Sequence, residues 1–568
     1  MKKIIKSIKK SAIISLSILL ALTSCSKYLE ILPLNDVVLE NYWTQEADVT
    51  AVLNSCYESL ESTESILRMA LWGELRSDNI VLGSYATNDI NEILKENLLP
   101  TNTMTKWNIM YQTINRCNTV IHYAPSVQQL DPNYTLEEMQ SNLAEATFIR
   151  DLCYFYLIRT FRNVPITFEP SIDDMTNYQL PAIPLDKALD TLATDLEKVK
   201  DMAVRRYIDD SKMTNTQAST EACENNSRVT RYAIYALLAD INLWRHNYDE
   251  TIKYCNLIID YKKQQYKEKI TLLGDQADMM EFAGIPLILE KTEGSTLCGN
   301  AYTEIFGTGN SFESIFELYF RNNQSIQNTY VGTYYGTSST PLGRFASPDV
   351  HSEGAAEGTN TLFTKDDCRV YENMTSQNNK YLITKYVNTS VTLDNSKVTD
   401  TKSISLKTAK RGNSYANWII YRLTDIILMK AEALIMRSNN DFEPAFTLIN
   451  AVNKRAHNYT TTSAKDTLIF ENYGQSRDNM EQLLLDERNR ELMFEGKRWF
   501  DLVRVSLRDG NSSHLVREAT VKYLDNINAI KIRLSDPDII FYPYFKDELD
   551  LNPYLIQNPA YSNTDDFD

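Results

Sequence analysis

Between residues 486 and 501 the chain crowds Asp486, Glu487, Glu491, Glu495 and Asp501 among Arg488, Arg490 and Arg498, beside Trp499 and Phe500. Paired carboxyls can do acid–base work, including cleavage of glycosidic bonds. The spacing favours another use. Glu487 with Arg490, and Glu495 with Arg498, stand three apart, where side chains of one helix meet, so a structural ion network is expected. Metal chemistry has less to draw on. The five histidines (His122, His246, His351, His457 and His514) form no H-E-x-x-H and no close pair. Gly307 and Gly309 lack a third glycine, Gly496-Lys497 lacks the upstream glycine of a phosphate loop, and there is no G-x-S-x-G. No catalytic residue, metal or cofactor is assigned, and the expectation is a protein that is not an enzyme.

Non-covalent capture is better provided for. Sugars are bound by aromatic faces against their apolar faces, with amides and charged groups on the hydroxyls. The six tryptophans lie mostly in helical patterns, so a platform would draw mainly on the 34 tyrosines. Two places suit it. After Asp78-Asn79, a loop carries Tyr85, Asn88 and Asn91, near Trp72. Further on stand Asn322, Asn323, Gln324, Tyr330, Tyr334, Tyr335 and Arg344. The expected ligand-binding residues are Trp72, Tyr85, Asn88, Tyr330, Tyr334, Tyr335 and Arg344.

The N-terminus bounds where such capture would happen. Lys2, Lys3, Lys6, Lys9 and Lys10 precede an 11-residue apolar run, Ala12–Leu22. A spanning helix needs about 20 residues, so this reads as a secretory signal. Leu22-Thr23-Ser24-Cys25 resembles a bacterial lipobox, which would make Cys25 the acylated first residue of the mature chain. The body would then be held at a membrane by its lipid. The chain carries −17, and loss of the five leader lysines makes it about −22, a balance that argues against nucleic acid as a partner. The other seven cysteines are widely spaced, with no C-x-x-C, and are expected to be buried thiols.

The elements that must position these residues read mainly as helices. Apolar positions recur at helical spacing from Thr44 through Leu60, from Lys106 to Tyr123, and from Leu136 to Tyr156. A helical hairpin spans Arg228–Asp260, and a second runs from Trp418 to about His457. Their small alanines and large partners resemble tetratricopeptide repeats, with Thr251 where a small alanine is usual. Eleven of the 17 glycines fall between residues 261 and 410, a loop-rich stretch in which only Ser311–Phe320 reads clearly as a strand. Two strand-like runs and an extended, proline-rich end follow Gly510. The expected fold is mainly α: tetratricopeptide-like helical repeats with an inserted loop-rich lobe containing short strands. The expected divisions are a signal peptide (1–24), an N-terminal helical region (25–260), the lobe (261–410) and a C-terminal helical region (411–568).

Leu483-Leu-Leu-Asp-Glu-Arg-Asn-Arg-Glu-Leu-Met-Phe-Glu-Gly-Lys-Arg-Trp-Phe-Asp-Leu-Val-Arg504 closely resembles the C-terminal signature of the SusD/RagB family of outer-membrane nutrient-binding lipoproteins. Trp107 through Asn118, Arg150 through Phe161 with Val164-Pro165, Arg422 through Leu434, and Asp550 through Pro559 resemble other family segments in the same order. Asn163 stands where the family often has glycine, and asparagine tolerates the left-handed backbone such a turn needs. The resemblance implies an outer-membrane, cell-surface protein. It would capture an oligosaccharide, or a peptide, and deliver it to a SusC-like TonB-dependent barrel. It also implies ligand contacts from loops in about the two regions named above. A tetratricopeptide-type scaffold that only assembles surface proteins is the alternative, with a surface glycosidase behind it.

Overall fold

A computed structural model describes residues 42–562, apart from 173–178, 275–277, 291–296, 322–326, 352–361, 365–366, 378–379, 395–404, 413–414 and 458–467. Cys25 and the leader, and Asn322, Asn323 and Gln324 of the expected platform, lie outside the described residues.

The N-terminal part is helical. It holds α1 (Glu46–Glu61), α2 (Thr63–Glu74), the short strand β1 (Val81–Leu82), α3 (Asn88–Leu94), α4 (Asn108–Leu130) and α5 (Leu136–Phe161). Local chemistry sets their starts. The Ser62 side chain accepts from the Ser65 amide to begin α2, and Thr135 with Glu138 forms a capping box on α5. α4 and α5 pack as a hairpin, and α1 lies against α4. At the end of α5 the left-handed backbone falls on Arg162 (φ 69°) and not on Asn163. Asn163 instead caps, its side-chain oxygen accepting from the Leu185 amide.

Next come α6 (Leu185–Val199), α7 (Arg231–Trp244) and α8 (Tyr248–Leu273). Thr251 fits between α7 and α8 because its hydroxyl bonds back to the carbonyls of Ala239 and Asn247. The hairpin outruns the expected end at Asp260. α8 continues for more than three turns because Lys262, Gln265 and Lys269 are buried there. Lys262 donates to the carbonyls of Phe312 (2.7 Å) and Ser314 (3.0 Å). A helix buried through lysines carries little apolar periodicity.

The lobe holds small antiparallel sheets: β2 (Met279–Phe282) with β3 (Ile285–Ile288), then β4 (Leu297–Cys298), β5 (Ser314–Leu318), β6 (Phe345–Ala346), β7 (Met374–Gln377) with β8 (Lys380–Ile383), and β9 (Asn388–Asp394) with β10 (Ser405–Lys410). β5 pairs with β11 (Trp418–Arg422). The expected second hairpin therefore begins as a strand, and its helices are α9 (Leu423–Arg437) and α10 (Phe442–His457). α8 packs on α9, which carries the stack across the lobe. The signature forms α11 (Arg477–Leu492) and α12 (Arg498–Asp509). The tail is helical and not stranded, with α13 (Ser513–Ala519), α14 (Ile527–Leu534) and α15 (Lys546–Leu551). The fold is thus helix-rich, with small sheets confined to short pairings. No helix among the described residues is long and apolar enough to cross a membrane.

Candidate ligand-binding surface

The two loops proposed from sequence meet. β1 pairs antiparallel with β6, Val81 opposite Ala346 and Leu82 opposite Phe345. The ribbon continues as the Gly83 amide donates to Arg344 O and the Ser84 amide to Gly343 O, both at 2.8 Å. This closeness requires glycine at 83, and the turn at Tyr334–Tyr335 behind the ribbon requires it at 343. A Cβ on Gly83 would fall 2.2 Å from Gly343 O, and one on Gly343 would fall 2.3 Å from Tyr334 O. Tyr85 follows with φ 57° and 89% of its surface exposed. Thr87 caps α3, which sets Asn88, also exposed, at the first helical position beside it.

The remaining aromatic residues of the expected platform, Trp72, Tyr330, Tyr334 and Tyr335, are buried and not on the exposed surface expected of them. Trp72 is in the core, its Nε1 donating to Met104 O (3.0 Å) and its ring edge-on to Phe161. Tyr330, Tyr334 and Tyr335 lie on a π-type helical turn, Val331–Tyr335, that directs all three inward. Tyr330 stacks on Tyr334 with centroids 5.1 Å apart and meets Tyr335 edge-on. The Tyr335 hydroxyl donates to Phe494 O (2.8 Å). Burial pushes the Tyr330 and Tyr335 phenols well above their ordinary range. These rings are a pedestal. Arg344 stands on it, 5.2 Å from the Tyr334 ring centroid and half-exposed. No carboxylate pairs with Arg344 among the described residues. Sequence reasoning missed Leu82, exposed on the ribbon, and the half-buried Tyr381, bridged to Ser347 just past β6. Only the strand pairing marks them.

A second cavity, of about 490 Å³, opens between the start of α4, residues 165–171 and the tail. Its amides are largely committed. Asn118 donates to the carbonyls of Thr167 and Glu169, Asn115 to that of Ser171, and Asn552 to that of Leu180.

The signature residues are interior. Glu491 takes Arg369, Arg422 and Arg455. Burial alone would raise it, but those three guanidiniums hold it well below the usual carboxylate range. Asp501, buried between Arg488 and Arg504, is held down to about 2. Glu487 pairs with Arg490 (2.8 Å), as its spacing predicts. Glu495 and Arg498 do not pair. Phe494 and Gly496, both with positive φ, break the helix between them. Glu495 turns to Arg422 and Lys385, and Arg498 to Asp78 (2.9 Å). That break touches the N-terminal region. A Cβ on Gly73 would sit 1.8 Å from Gly496 O, and Glu74 accepts the amides of Phe494, Gly496 and Lys497.

Residues 313–561 match the SusD family, and residues 27–243 match the family described as starch-binding associating with outer membrane. A SusD-like protein of Formosa agariphila is 24% identical over 95% of this chain and 96% of its own. A SusD superfamily protein from Bacteroides vulgatus shares the fold with a TM-score of 0.63 at 18% identity, over 92% of this chain and 100% of its own. A solved protein described as a laminarin binding SusD-like protein has a TM-score of 0.59 at 19% identity, over 91% of this chain and 100% of its own. The chain belongs to the SusD/RagB family.

Proposed function

We propose that this protein captures an oligosaccharide on the surface formed by Tyr85, Asn88 and Arg344 and passes it on without covalent chemistry. The observation that carries the reading is the β1–β6 ribbon, which brings the segment bearing an exposed ring and an exposed amide against the strand bearing a cation with no carboxylate partner among the described residues. Tyr85 offers the apolar face, and the polar groups bond hydroxyls. The laminarin-binding relative supports a glycan over a peptide. Burial and pairing of the signature carboxyls support binding over hydrolysis, which needs two carboxyls flanking an accessible bond. On this reading Cys25 carries the lipid, the outer membrane is the location, and a SusC-like barrel is the acceptor. On the same reading the chain divides into an N-terminal helical region, a lobe that starts after α8 and not at residue 261, and a C-terminal helical region.

The test is calorimetric titration of residues 26–568 against laminarin and a panel of plant, host and microbial glycans and peptides. Heat from one glycan class, weakened at least about tenfold by Tyr85→Ala, is the expected result; tenfold is about 1.4 kcal/mol. Binding indifferent to Tyr85→Ala would move the site elsewhere. Silence across the panel would favour the scaffold reading. New reducing ends during incubation would make the protein a glycosidase.

A further inference from the structure

Glu290 follows β3. Cys368 and Glu372 stand four residues apart at a short helical turn, Arg369–Asn373. Chain distant in sequence thus converges, and one ligating atom from each residue lies within 4.8 Å of the others. All three are interior, at 2%, 0% and 5% exposure.

Two observations beyond the clustering point to a missing occupant. First, Glu290 Oε2 and Glu372 Oε1 are buried and find no hydrogen-bond partner among the described residues other than each other. Orphan buried polar atoms are rare and call for an explanation such as an ion or a water. Both residues line a cavity of about 20 Å³, room for a single water. Second, the charges do not balance. Among the described residues, the ion pairs around Glu491, together with Glu372, join seven carboxyls and five cationic side chains. The surplus falls at Glu290 and Glu372. The sole ion pair of either among the described residues is the loose 3.8 Å contact of Glu290 with Arg455. Desolvated surplus charge is costly.

We infer that Glu290, Cys368 and Glu372 form a structural site for one divalent cation of the zinc class, with a water in the small cavity as fourth ligand. One thiolate and two carboxylates suit zinc. On binding, the Cys368 S–H bond breaks, its proton leaves to solvent, and the sulfur electron pair forms the metal–sulfur bond. Any proton held between the two carboxyls leaves as well. The ion would fasten the end of β3 to the segment leading into β7.

The test uses residues 26–568 stripped with chelator and then dialysed against Zn²⁺ or Co²⁺. Expected are one metal per chain by mass spectrometry, a higher Tm with zinc, and a thiolate-to-Co²⁺ charge-transfer absorption. Cys368→Ser should abolish that absorption, and Glu372→Gln should weaken binding at least about tenfold. X-ray absorption at the zinc edge of the unmutated protein, independent of whether the variants fold, should show one sulfur and otherwise lighter ligands. No bound metal, or a zinc with no sulfur neighbour, would overturn the site and leave the carboxyls sharing a proton. Glycan titration reads a different surface, so either proposal can fail alone.

Discussion

The junction around α11 and α12 and the ribbon of β1 with β6 are both built by segments distant in sequence, yet they differ in every other respect. At the junction each charge is committed. Glu491 answers three guanidiniums, and Arg504 grips Glu432 through two bonds of 2.7 and 2.6 Å. At the ribbon, Tyr85 touches mostly solvent and Arg344 rests on a ring. Glu487, Glu491 and Asp501 are buried and paired, so these signature carboxyls offer nothing to a visitor. The ribbon offers Tyr85 and Arg344, and its rigidity is lent from below by the buried tyrosines. On the proposed reading, recognition sits where bonding is sparse, on a base where it is saturated.

The comparison can be broken most forcefully at Glu491. Glu491→Ala leaves three buried guanidiniums short of a partner and should cost about 3–5 kcal/mol in urea unfolding. A loss under about 1 kcal/mol would mean that the junction is not held by its charges. Tyr85→Ala should do the opposite, weakening glycan affinity by at least about 1.4 kcal/mol while moving stability by no more than about 0.5 kcal/mol. A variant that unfolds would make Tyr85 part of the frame. Tyr335→Phe tests the pedestal. Losing the bond to Phe494 O should cost about 1 kcal/mol of stability and leave ligand affinity near the parent value. A larger fall in affinity than in stability would return Tyr335 to the binding surface.

The smallest effect expected is on pH dependence. Burial lifts Glu61, Glu74, Asp151 and Glu304 to about 7. A carboxyl raised in the folded state contributes stability that is present below its unfolded value, about 4, and is lost as pH rises through 7. Glu491 and Asp501 run the other way, their contribution being whole above about 4 and lost as pH falls, for Asp501 through about 2. Melting scans should therefore peak near pH 5, and Glu304→Gln should flatten the alkaline limb. A Tm still climbing from pH 5 to 8 would contradict the raised group.

The helices were legible because their apolar faces repeat, as at Val49, Leu53, Cys56 and Leu60. The charged character of the signature was equally plain, but its pairing was not. Glu495 and Arg498 have helical spacing in a place where Phe494 and Gly496 leave the helix. Short strands were harder: β5 is legible within Ser311–Phe320, but its partner β11, about a hundred residues on, reads as the start of a helical hairpin. For the surface, sequence named two loops that the fold brings together, and did not show that most of their rings are buried. Tyr330, Tyr334 and Tyr335 look the same as Tyr85 in composition. What separates them is a helical turn that faces the core and a left-handed residue that faces water, and neither is written in residue type.

The contact between the Gly73–Asp78 segment and the Phe494–Arg498 segment also sets a timetable. Glu74 and Asp78 meet their partners some 420 residues later in the chain. Arg76 waits longer still, for the carbonyls of Ile539 and Ile540. A growing chain therefore presents its N-terminal helices long before anything can close over these buried charges. Contacts of such long separation form slowly, so the body would stay open until its last hundred residues arrive. On the proposed outer-membrane reading, late closure would keep the chain fit for passage through a membrane.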